Sequence, residues 1–357
     1  MNVLLTCGGR RILPIQAFRE ALGGRGRVFA CDCDAYAPAL PEADRAFVVP
    51  PVDDPAYIDV LLSTCRQYRV GLLIPALEPE LPLLAEHRER FLGAGTILLV
   101  PPAGVVDTCY DKLASAAFLA GLGIASPTTF VSIEEARGAL ASRAIAFPLV
   151  VKPRWGMGSL GLHVCQDGEE LEHAYRLVRR QLPRTVLAEI SATDPERSVL
   201  IQECLPGIEY GFDIINDLRG SYVGTFLRKK LRMRSGQTDR AVTVHDSSLE
   251  RVTGAIGKAL GHFGILDGDL FVTPKGIVVL DLNPRLGGGY PFSHVAGANL
   301  PAALIAWAAN EPVDPAWFQV RAGVMSSKID GMVTFRDEAT RPGRPQEEPL
   351  YESRRGV

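Results

Sequence analysis

Apolar and polar positions follow two different periodicities along the first hundred residues of the chain. Short apolar runs predict buried strands, and the segments between them carry apolar residues at helical spacing. The predicted strands are Val3–Thr6, Val28–Cys31, Ala46–Val49, Gly71–Ile74 and Ile97–Val100. The predicted helices are Ile12–Leu22, Pro55–Tyr68 and Leu81–Phe91. This alternation predicts an α/β domain over residues 1–102, with a Rossmann-like parallel sheet covered by helices on both faces.

The rest of the chain mixes helices with strand pairs, which predicts an α+β arrangement. The predicted helices in this part are Asp107–Leu119, Glu169–Gln181, Leu249–Phe263 and Pro301–Ala309. Further strands are predicted before Lys152, over Leu160–Val164, from Val199, and over Gly211–Asn216 and Tyr222–Phe226, with a polar loop over Gly236–Arg240. We expect one lobe over residues 103–198, a second over 199–335 and an irregular tail over 336–357.

The stretch from Val278 to Tyr290 reads V-V-L-D-L-N-P-R-L-G-G-G-Y. Asp281 and Asn283 follow an apolar run two residues apart, so they point to one side of a strand. Hard oxygen ligands in that position suit Mg²⁺. Arg285 follows, where a cation can hold a phosphate or a carboxylate. Gly288 belongs to a run of three glycines whose backbone a ligand can approach closely.

Asp269 precedes this stretch and begins a predicted hairpin. Its strands are Leu270–Thr273 and Ile277–Leu280, joined by a Pro-Lys-Gly turn. Such a hairpin would bring Asp269 opposite Asp281 and complete a set of oxygen ligands for Mg²⁺. A hairpin with solvated acids is the alternative interpretation.

A glycine-rich segment, G-M-G-S-L-G, follows the strand that ends at Lys152. It matches the dinucleotide fingerprint literally, but that fingerprint needs a helix directly after it. In this chain Leu160–Val164 alternates as a strand. Strand, glycine loop and strand suit a lid whose N–H groups cover phosphates. Gly156, Gly158 and Ser159 are therefore candidate phosphate contacts, although Ser159 also fits an ordinary loop.

Five cations stand within residues 228–234. A nucleic-acid patch would carry interleaved aromatic residues, which this segment lacks. Phosphate chemistry needs local cations to neutralise developing charge. Strand alternation groups the even-numbered positions, and we select Lys230 and Arg232 as the candidates.

Charged residues at predicted strand ends of the first domain are candidate substrate contacts. They are Arg10, Arg11 and Glu78, and solvated loop charges are the alternative for each. The glycines after the first strand do not complete a dinucleotide fingerprint. Ser293 follows the later glycine run, and we expect it to line the pocket for the acceptor substrate. His294 could act there as a general base or serve as a structural histidine.

Composition narrows the classes of function. The 38 basic and 41 acidic residues give a net charge of −3, which implies no nucleic-acid partner. Seven cysteines without framework spacing predict reduced thiols and a cytoplasmic location. No apolar run approaches the ~20 residues of a membrane span, and the N-terminus lacks the features of a secretion signal.

The order of these motifs resembles the ATP-grasp enzymes, particularly the carbamoyl-phosphate-synthase large-chain-like group. The resemblance rests on Asp111-Lys112, on F-P-L-V-V-K-P before the glycine loop, on Q-E-C-L and on V-L-D-L-N-P-R-L-G-G-G-Y. It implies a two-lobed ATP-grasp fold behind a pre-ATP-grasp domain, with ATP and Mg²⁺ as cofactors and Mn²⁺ as an alternative metal. The family commonly has glutamate where Asp281 stands.

The same resemblance implies residue roles. Taken alone, Lys112 would be a surface lysine and Glu209 a solvated strand residue. The resemblance implies that Lys112 reaches an ATP phosphate and that Lys152 contacts the nucleotide. It also implies adenine contacts for the backbones of Glu203 and Leu205, with Gln202 nearby, and a ribose contact for Glu209.

The implied activity is an ATP-dependent carboxylate–amine ligase that works through an acylphosphate on an amino-acid-like or other small carboxylate. The chain is much shorter than a carbamoyl phosphate synthase large chain and shows no internal repeat, which favours a stand-alone ligase. A phosphotransferase on the same nucleotide site and a nucleotide-binding module without turnover are the alternatives. A homodimer is common among the proteins that the chain resembles.

Overall fold

The computed structural model describes residues 1–156 and 158–335. The irregular tail predicted for 336–357 lies outside the described residues. Contacts divide the chain into two units, and the division differs from a simple cut along the sequence. Unit 1 comprises Met1–Val100, Gly297–Gln319 and the chain from Lys328; unit 2 comprises Pro101–Ala296 and Val320–Ser327. The predicted boundaries after 102, 198 and 335 stay predictions.

The secondary structure contains 15 strands and 12 α-helices within the described residues. In chain order, the strands are β1 (Asn2–Leu5), β2 (Val28–Asp32), β3 (Arg45–Val48), β4 (Val70–Ile74), β5 (Ile97–Leu98), β6 (Thr129–Phe130), β7 (Leu149–Pro153), β8 (His163–Cys165), β9 (Val199–Glu203), β10 (Ile208–Asn216), β11 (Tyr222–Arg234), β12 (Gln237–Val244), β13 (Gly264–Thr273), β14 (Gly276–Asn283) and β15 (Met325–Ser327). The helices are α1 (Ile12–Leu22), α2 (Tyr57–Gln67), α3 (Glu80–Glu86), α4 (Arg88–Gly93), α5 (Ala103–Tyr110), α6 (Lys112–Gly121), α7 (Ile133–Ala141), α8 (Gly168–Gln181), α9 (Ala188–Ala192), α10 (Ser247–Leu260), α11 (Tyr290–Val295) and α12 (Leu300–Ala309). Short 3-10 turns cover Leu40–Glu42, Leu182–Arg184, Pro195–Arg197 and Pro315–Phe318.

Unit 1 is built on a parallel sheet with strand order β3-β2-β1-β4-β5. The buried apolar runs of β1 and β4 explain their central place, because a parallel strand is covered on both faces. The predicted Rossmann-like sheet is confirmed. The helix predicted over Leu81–Phe91 is instead two helices, because the chain turns at His87, which lies between α3 and α4.

The first sheet of unit 2 is antiparallel, in the order β6-β9-β7-β8. Within this sheet β9 pairs with β6 on one side and with β7 on the other. The strand predicted over Leu160–Val164 is wrong in its first half, because residues 160–162 form a turn and β8 begins at His163. Helix α8 packs its apolar stripe, including Leu171 and Val178, against this sheet.

The second sheet of unit 2 has six strands in the order β14-β13-β10-β11-β12-β15. Helix α10 covers it, with Leu249 and Ile256 in the same buried cluster as Phe212 and Leu282. The polar loop predicted over Gly236–Arg240 is wrong: the chain turns at Ser235 and Gly236, and β12 then pairs with β11. Within the described residues, none of the helices is both long and apolar enough to cross a membrane.

Candidate active site

The hairpin of β13 and β14 carries the acidic residues expected to hold a metal. Asp269 pairs directly with Asp281, and Asp267 pairs with Asn283. The register slips after Asp269, which pairs with Asp281 whereas Leu270 pairs with Val279, so Leu280 is an extra residue on β14. The expected juxtaposition of Asp269 and Asp281 is therefore confirmed, while their role as ligands stays a prediction.

The oxygen atoms on this hairpin suit a hard cation such as Mg²⁺. Within residues 1–156 and 158–335, no group of three or more His, Cys, Asp or Glu side chains converges in the manner of a self-sufficient metal site. The predicted donor set is two carboxylates and the Asn283 amide. Mg²⁺ commonly takes one or two carboxylates and completes its shell with water and substrate phosphates, so this set fits it.

Lys230 links the metal-site acids to the residue predicted to hold ribose. Its Nζ lies 2.6 Å from Asp269 Oδ1 and 2.7 Å from Glu209 Oε1, and its side chain is 6% exposed. Burial lowers the pKa of Lys230, but the two carboxylates outweigh burial and raise it. Lys230 is therefore protonated, and its ammonium group is already ion-paired with the carboxylates of Asp269 and Glu209.

Two further lysines of unit 2 lie close to the same acids, one at the start of α6 and one on β7. Lys112 Nζ donates to the carbonyl oxygen of Gly156 at 3.0 Å and lies 3.7 Å from Asp281 Oδ1. Lys152 is 7% exposed. Burial lowers the pKa of Lys152 to about 8; the field of Asp281 opposes the shift and that of Lys112 adds to it. Lysines from α6 and β7 and acids from the β13–β14 hairpin therefore meet within a single unit.

Asp111 determines where Lys112 points. The helix predicted over Asp107–Leu119 is wrong at this residue, which is extended (φ −93°, ψ 113°) and caps α6 by accepting from Leu113 N. Arg154 then donates to both carboxylate oxygens of Asp111, at 2.7 and 2.5 Å, and also to Asp194 at 2.7 Å. These ion pairs of Arg154 fix the start of α6 and therefore hold Lys112 beside the glycine loop. The adjacent Asp111 and Lys112 in the sequence give no signal of them.

The glycine loop lies against the turn between β11 and β12. A side chain at Gly236 would come within 2.6 Å of Gly158 O and 2.8 Å of Ser159 Oγ. Ser159 has φ +62°, a left-handed conformation that is uncommon outside glycine. Ser159 is exposed, so its hydroxyl is accessible, and its predicted phosphate contact stays a prediction.

The segment expected to hold adenine follows β9. The backbone N–H of Glu203 already donates to Thr128 O at 3.1 Å, and the Glu203 carboxylate accepts from Thr128 N and Oγ1. Gln202 Nε2 donates to Thr129 Oγ1 at 2.8 Å. Because the Glu203 N–H is already bonded, we expect adenine to be bound by the Glu203 carbonyl oxygen and the Leu205 N–H.

Arg285 belongs to an ion-pair network that the sequence did not reveal. Asp267 accepts from Arg285 Nη1 through Oδ2 and from Arg228 Nη2 through Oδ1, each at 2.8 Å. Arg228 also donates to Asp213 Oδ2 at 2.7 Å, and both of these side chains are almost completely buried. The available signal was alternation, since Asp267 stands two residues before Asp269 on the same strand.

The glycine run of residues 287–289 leaves space for side chains of this ion-pair network. A side chain at Gly289 would lie 1.9 Å from Arg228 Nη2, and one at Gly287 would lie 2.2 Å from Asp267 Cγ. Gly288 between them is exposed, so its backbone is open to a ligand as predicted for the substrate side. The prediction for Ser293 is wrong, because it is fully buried and donates to Asp213 Oδ2 at 3.1 Å instead of lining a pocket.

Arg232 is not beside Lys230 as strand alternation predicted. The pairing of β11 with β12 slips on both sides of Arg232, which breaks the alternation. Its side chain is 62% exposed and lies 3.6 Å from Asp239, which Arg234 also approaches at 3.2 Å. Arg232 is therefore a peripheral cation, whereas the side chains of Arg228 and Lys230 on the same strand are buried.

Unit 1 holds the remaining predicted residues. Arg10 is exposed, Arg11 Nη1 donates to Cys7 O at 3.2 Å, and Glu78 is 4% exposed. Sequence reasoning missed Glu80, a fully buried carboxylate that accepts from Tyr57 OH and from the backbone N–H groups of residues 76 and 77. Burial raises the pKa of Glu80, against the effect of these donors.

Comparison with known proteins tests the resemblance. A family model described as the PylC-like N-terminal domain matches residues 3–99, and one described as ATP-grasp in the biosynthetic pathway with Ter operon matches residues 195–331. The carbamoyl phosphate synthase large chain of Helicobacter pylori strain J99 is 26% identical over 71% of this chain and 23% of its own length. That of Thermus thermophilus is 29% identical over 74% of this chain and 25% of its own length.

The chain is similar to ATP-grasp proteins, through the family model over residues 195–331 and the carbamoyl phosphate synthase relatives. Among solved structures, the biotin carboxylase domain of Hydrogenobacter thermophilus 2-oxoglutarate carboxylase aligns with a TM-score of 0.71 at 16% identity, covering 91% of this chain and 73% of that one. The L-amino acid ligase of Bacillus licheniformis aligns with a TM-score of 0.68 at 20% identity, covering 93% and 81%. These likenesses confirm the ATP-grasp fold. The chain spans about a quarter of the length of the carbamoyl phosphate synthase chains that it matches.

Lys152 should make the stability of this protein depend on pH. Its pKa falls from 10.5 to about 8 on folding, so between these values the unfolded chain holds a proton that the folded protein has lost. Stability therefore rises with pH in this window, and we expect wild type to gain up to about 3 kcal/mol relative to Lys152→Met between pH 8 and 10.5. Urea denaturation of both proteins across that range measures the difference.

The matched control is Lys275→Met, at an exposed lysine in the β13–β14 turn. This substitution should give a difference from wild type that does not change with pH. A flat difference for Lys152→Met as well would show that Lys152 keeps its proton when buried.

Proposed function

We propose that the chain is an ATP- and Mg²⁺-dependent ligase that joins a small carboxylate to an amine and forms ADP. The observation that carries the proposal is the meeting of Lys112 and Lys152 with Asp269 and Asp281 inside unit 2. Lysines and metal-binding acids on facing elements are what a magnesium triphosphate requires. The solved structure named as an L-amino acid ligase supports this class of chemistry.

Each residue has a distinct role in this proposal. Asp269, Asp281 and Asn283 would hold Mg²⁺, which when bound neutralises negative charge on the phosphates. Lys112 and Lys152 bind the phosphate chain and orient it, because both are held near Asp281. Glu209 accepts from ribose hydroxyls, while Lys230 fixes its position. Gly156 and Gly158 supply a lid that keeps water away from the reacting groups.

The reaction proceeds in two balanced steps. An oxygen of the substrate carboxylate attacks the γ-phosphorus, the bond from that phosphorus to the bridging oxygen of ADP breaks, and an acylphosphate forms. The amine nitrogen then attacks the acyl carbon, inorganic phosphate leaves, and the nitrogen loses a proton. Arg285 holds the transferring phosphoryl group, and catalysis comes from positioning and charge neutralisation.

The test is an ADP-release screen with Mg²⁺ in which small carboxylates, amino acids first, are crossed with amines. Release of ADP and phosphate that requires both substrates supports the ligase. Release of ADP without phosphate, with a phosphorylated acceptor, identifies a phosphotransferase. ATP binding without ADP release under every mixture identifies a binding module, for which Asp281 in place of the usual glutamate is the supporting observation.

Assembly is a separate part of the proposal. The Hydrogenobacter thermophilus structure is titled as a domain dimer, and we propose a homodimer for this chain too. Light scattering of the purified protein measures its mass against the 38.6 kDa of one chain.

A further inference from the structure

Asp267 occupies a position between two arginines that differ sharply in their surroundings. Arg228 is 1% exposed and lies among buried groups, whereas Arg285 is 11% exposed and follows the predicted metal ligands. One carboxylate oxygen of Asp267 accepts from each of them at 2.8 Å. Asp267 itself is 15% exposed. It therefore joins a closed, rigid group to one at the edge of the site.

The closed side of this network is fixed from several directions. Arg228 is held by Asp213 as well as by Asp267, and Ser293 donates to the same Asp213 oxygen that Arg228 contacts. The backbone at Gly211 and Gly289 packs so near the guanidinium that neither position has room for a side chain. Arg228 is therefore enclosed by β10, which carries Gly211 and Asp213, and by Gly289 at the N-cap of α11, so Asp267 accepts from a guanidinium that has little room to move.

We propose that Asp267 is a positioning residue for Arg285, anchored by the buried Arg228–Asp213 pair, and that it sets the orientation in which Arg285 meets the terminal phosphate. This inference rests on the proposed function for the role of Arg285. The planar guanidinium gives directional hydrogen bonds, so a carboxylate that accepts from Nη1 of Arg285 constrains where its other N–H groups point. Asp267 contacts the substrate only through Arg285 in this scheme.

Electrostatics agrees with such a role. Each oxygen of the Asp267 carboxyl group lies 2.8 Å from a guanidinium nitrogen, and two adjacent cations favour its ionised form. The carboxylate therefore stays charged between its two arginines. Asparagine in its place keeps the size and one acceptor oxygen but loses the charge and the second acceptor.

A double-mutant cycle tests the proposal. The proteins are wild type, Asp267→Asn, Arg285→Lys and the double variant, and the probes are the Mg²⁺ complexes of AMP-PNP and of ADP. We expect Asp267→Asn to weaken AMP-PNP binding by about tenfold or more, since a charge-assisted hydrogen bond directs the guanidinium, and to leave ADP binding within about twofold. In the Arg285→Lys background the same substitution should change AMP-PNP binding by less than about twofold.

Several outcomes would overturn the proposal. They are equal effects of Asp267→Asn in both backgrounds, equal losses for AMP-PNP and ADP, and a wild type that does not distinguish the two nucleotides. If Asp267→Asn does not fold, Asp267→Glu displaces the carboxylate by one methylene and enters the same cycle with the same criteria. Asp246→Asn, at the N-cap of α10, is the matched charge control and should leave both affinities unchanged.

Turnover separates this inference from the proposed function. Asp267→Asn should lower kcat for ADP release by much more than the unfolded fraction of the same preparation accounts for, whereas a general loss of folded protein would lower the apparent kcat only in proportion to that fraction. A non-additive cycle in a protein that releases no ADP with any substrate pair would support Asp267 as a positioning residue and reject the ligase. An additive cycle in an active ligase would do the reverse.

Discussion

Asp281→Asn should lower the rate of ADP release by about 100-fold or more, because it removes the charge of the acid that faces both Asp269 and Lys112. Folding should be almost unaffected. The Asp281 side chain is 25% exposed and its ion pair with Lys112 is long, at 3.7 Å. At 3.7 Å the pair is not a hydrogen bond, Lys112 keeps its hydrogen bond to the carbonyl oxygen of Gly156, and asparagine has the same size as aspartate. Steady-state ADP release and chemical denaturation of the same preparations measure both effects.

Asp217→Asn provides the control for this substitution. It makes the same change of charge in the turn between β10 and β11, where Asp217 accepts from the backbone N–H groups of Arg219 and Ser221. ADP release should stay at the wild-type rate in this variant. If Asp281→Asn turns over normally, or if it loses activity only in proportion to unfolded protein, Asp281 does not act in phosphoryl transfer.

The fold was accessible from the sequence because periodicity and motif order agree along its length. The buried runs of β1, β2 and β4 alternate with amphipathic helices, and this pattern has one common solution, a parallel sheet. In the β13–β14 hairpin the turn residues, the apolar alternation and the acids all indicate the same pairing. Asp269 therefore met Asp281 as predicted, even though the bulge at Leu280 was not foreseen.

Positions where one residue changes the backbone were not accessible. Asp111 looks helical by composition, yet its side chain is bound by Arg154 and caps the next helix, a contact that spans 43 residues. Arg232 satisfies strand alternation, but the slips in register beside it turn it outward. In each case the local pattern predicted the right kind of element, a helix or a strand. A tertiary contact at Asp111 and a bulge at Arg232 then changed the backbone or the direction of the side chain.

The buried acids and bases of unit 2 illustrate a second limit. Asp213, Arg228 and Ser293 carry no motif, and polar residues of these types are usually exposed. Their burial depends on a mutual arrangement that involves β10, β11 and α11. The three glycines were interpreted as space for a ligand, whereas two of them make room for Arg228 and Asp267. Only the folded structure shows which partner a glycine accommodates.

Arg228→Met should destabilise the protein by about 3–5 kcal/mol, the largest loss of stability that we expect from a single substitution in this network. Methionine has a similar volume and no charge, so it leaves Asp213, which is fully buried, without its cation. Asp267 would keep Arg285 as a partner. Urea denaturation at pH 7 measures the loss. Arg232→Met, on the same strand but 62% exposed, should change stability by less than about 0.5 kcal/mol.

The loss in Arg228→Met should also depend on pH, in a direction that identifies its cause. Burial raises the pKa of Asp213 above its ordinary value of 3.8 even beside Arg228, and removing the cation raises it further. Burial raises the pKa of Asp213 in folded wild type to about 6, so both proteins lose stability as pH rises from about 4 to 6. Above about pH 6 only the variant continues to lose stability, because its Asp213 still binds a proton that the unfolded chain releases. The difference from wild type should be greatest at pH 7 and smaller at pH 4.5. A difference that is equal at both pH values would mean that lost packing, and not an unpaired carboxylate, accounts for the effect.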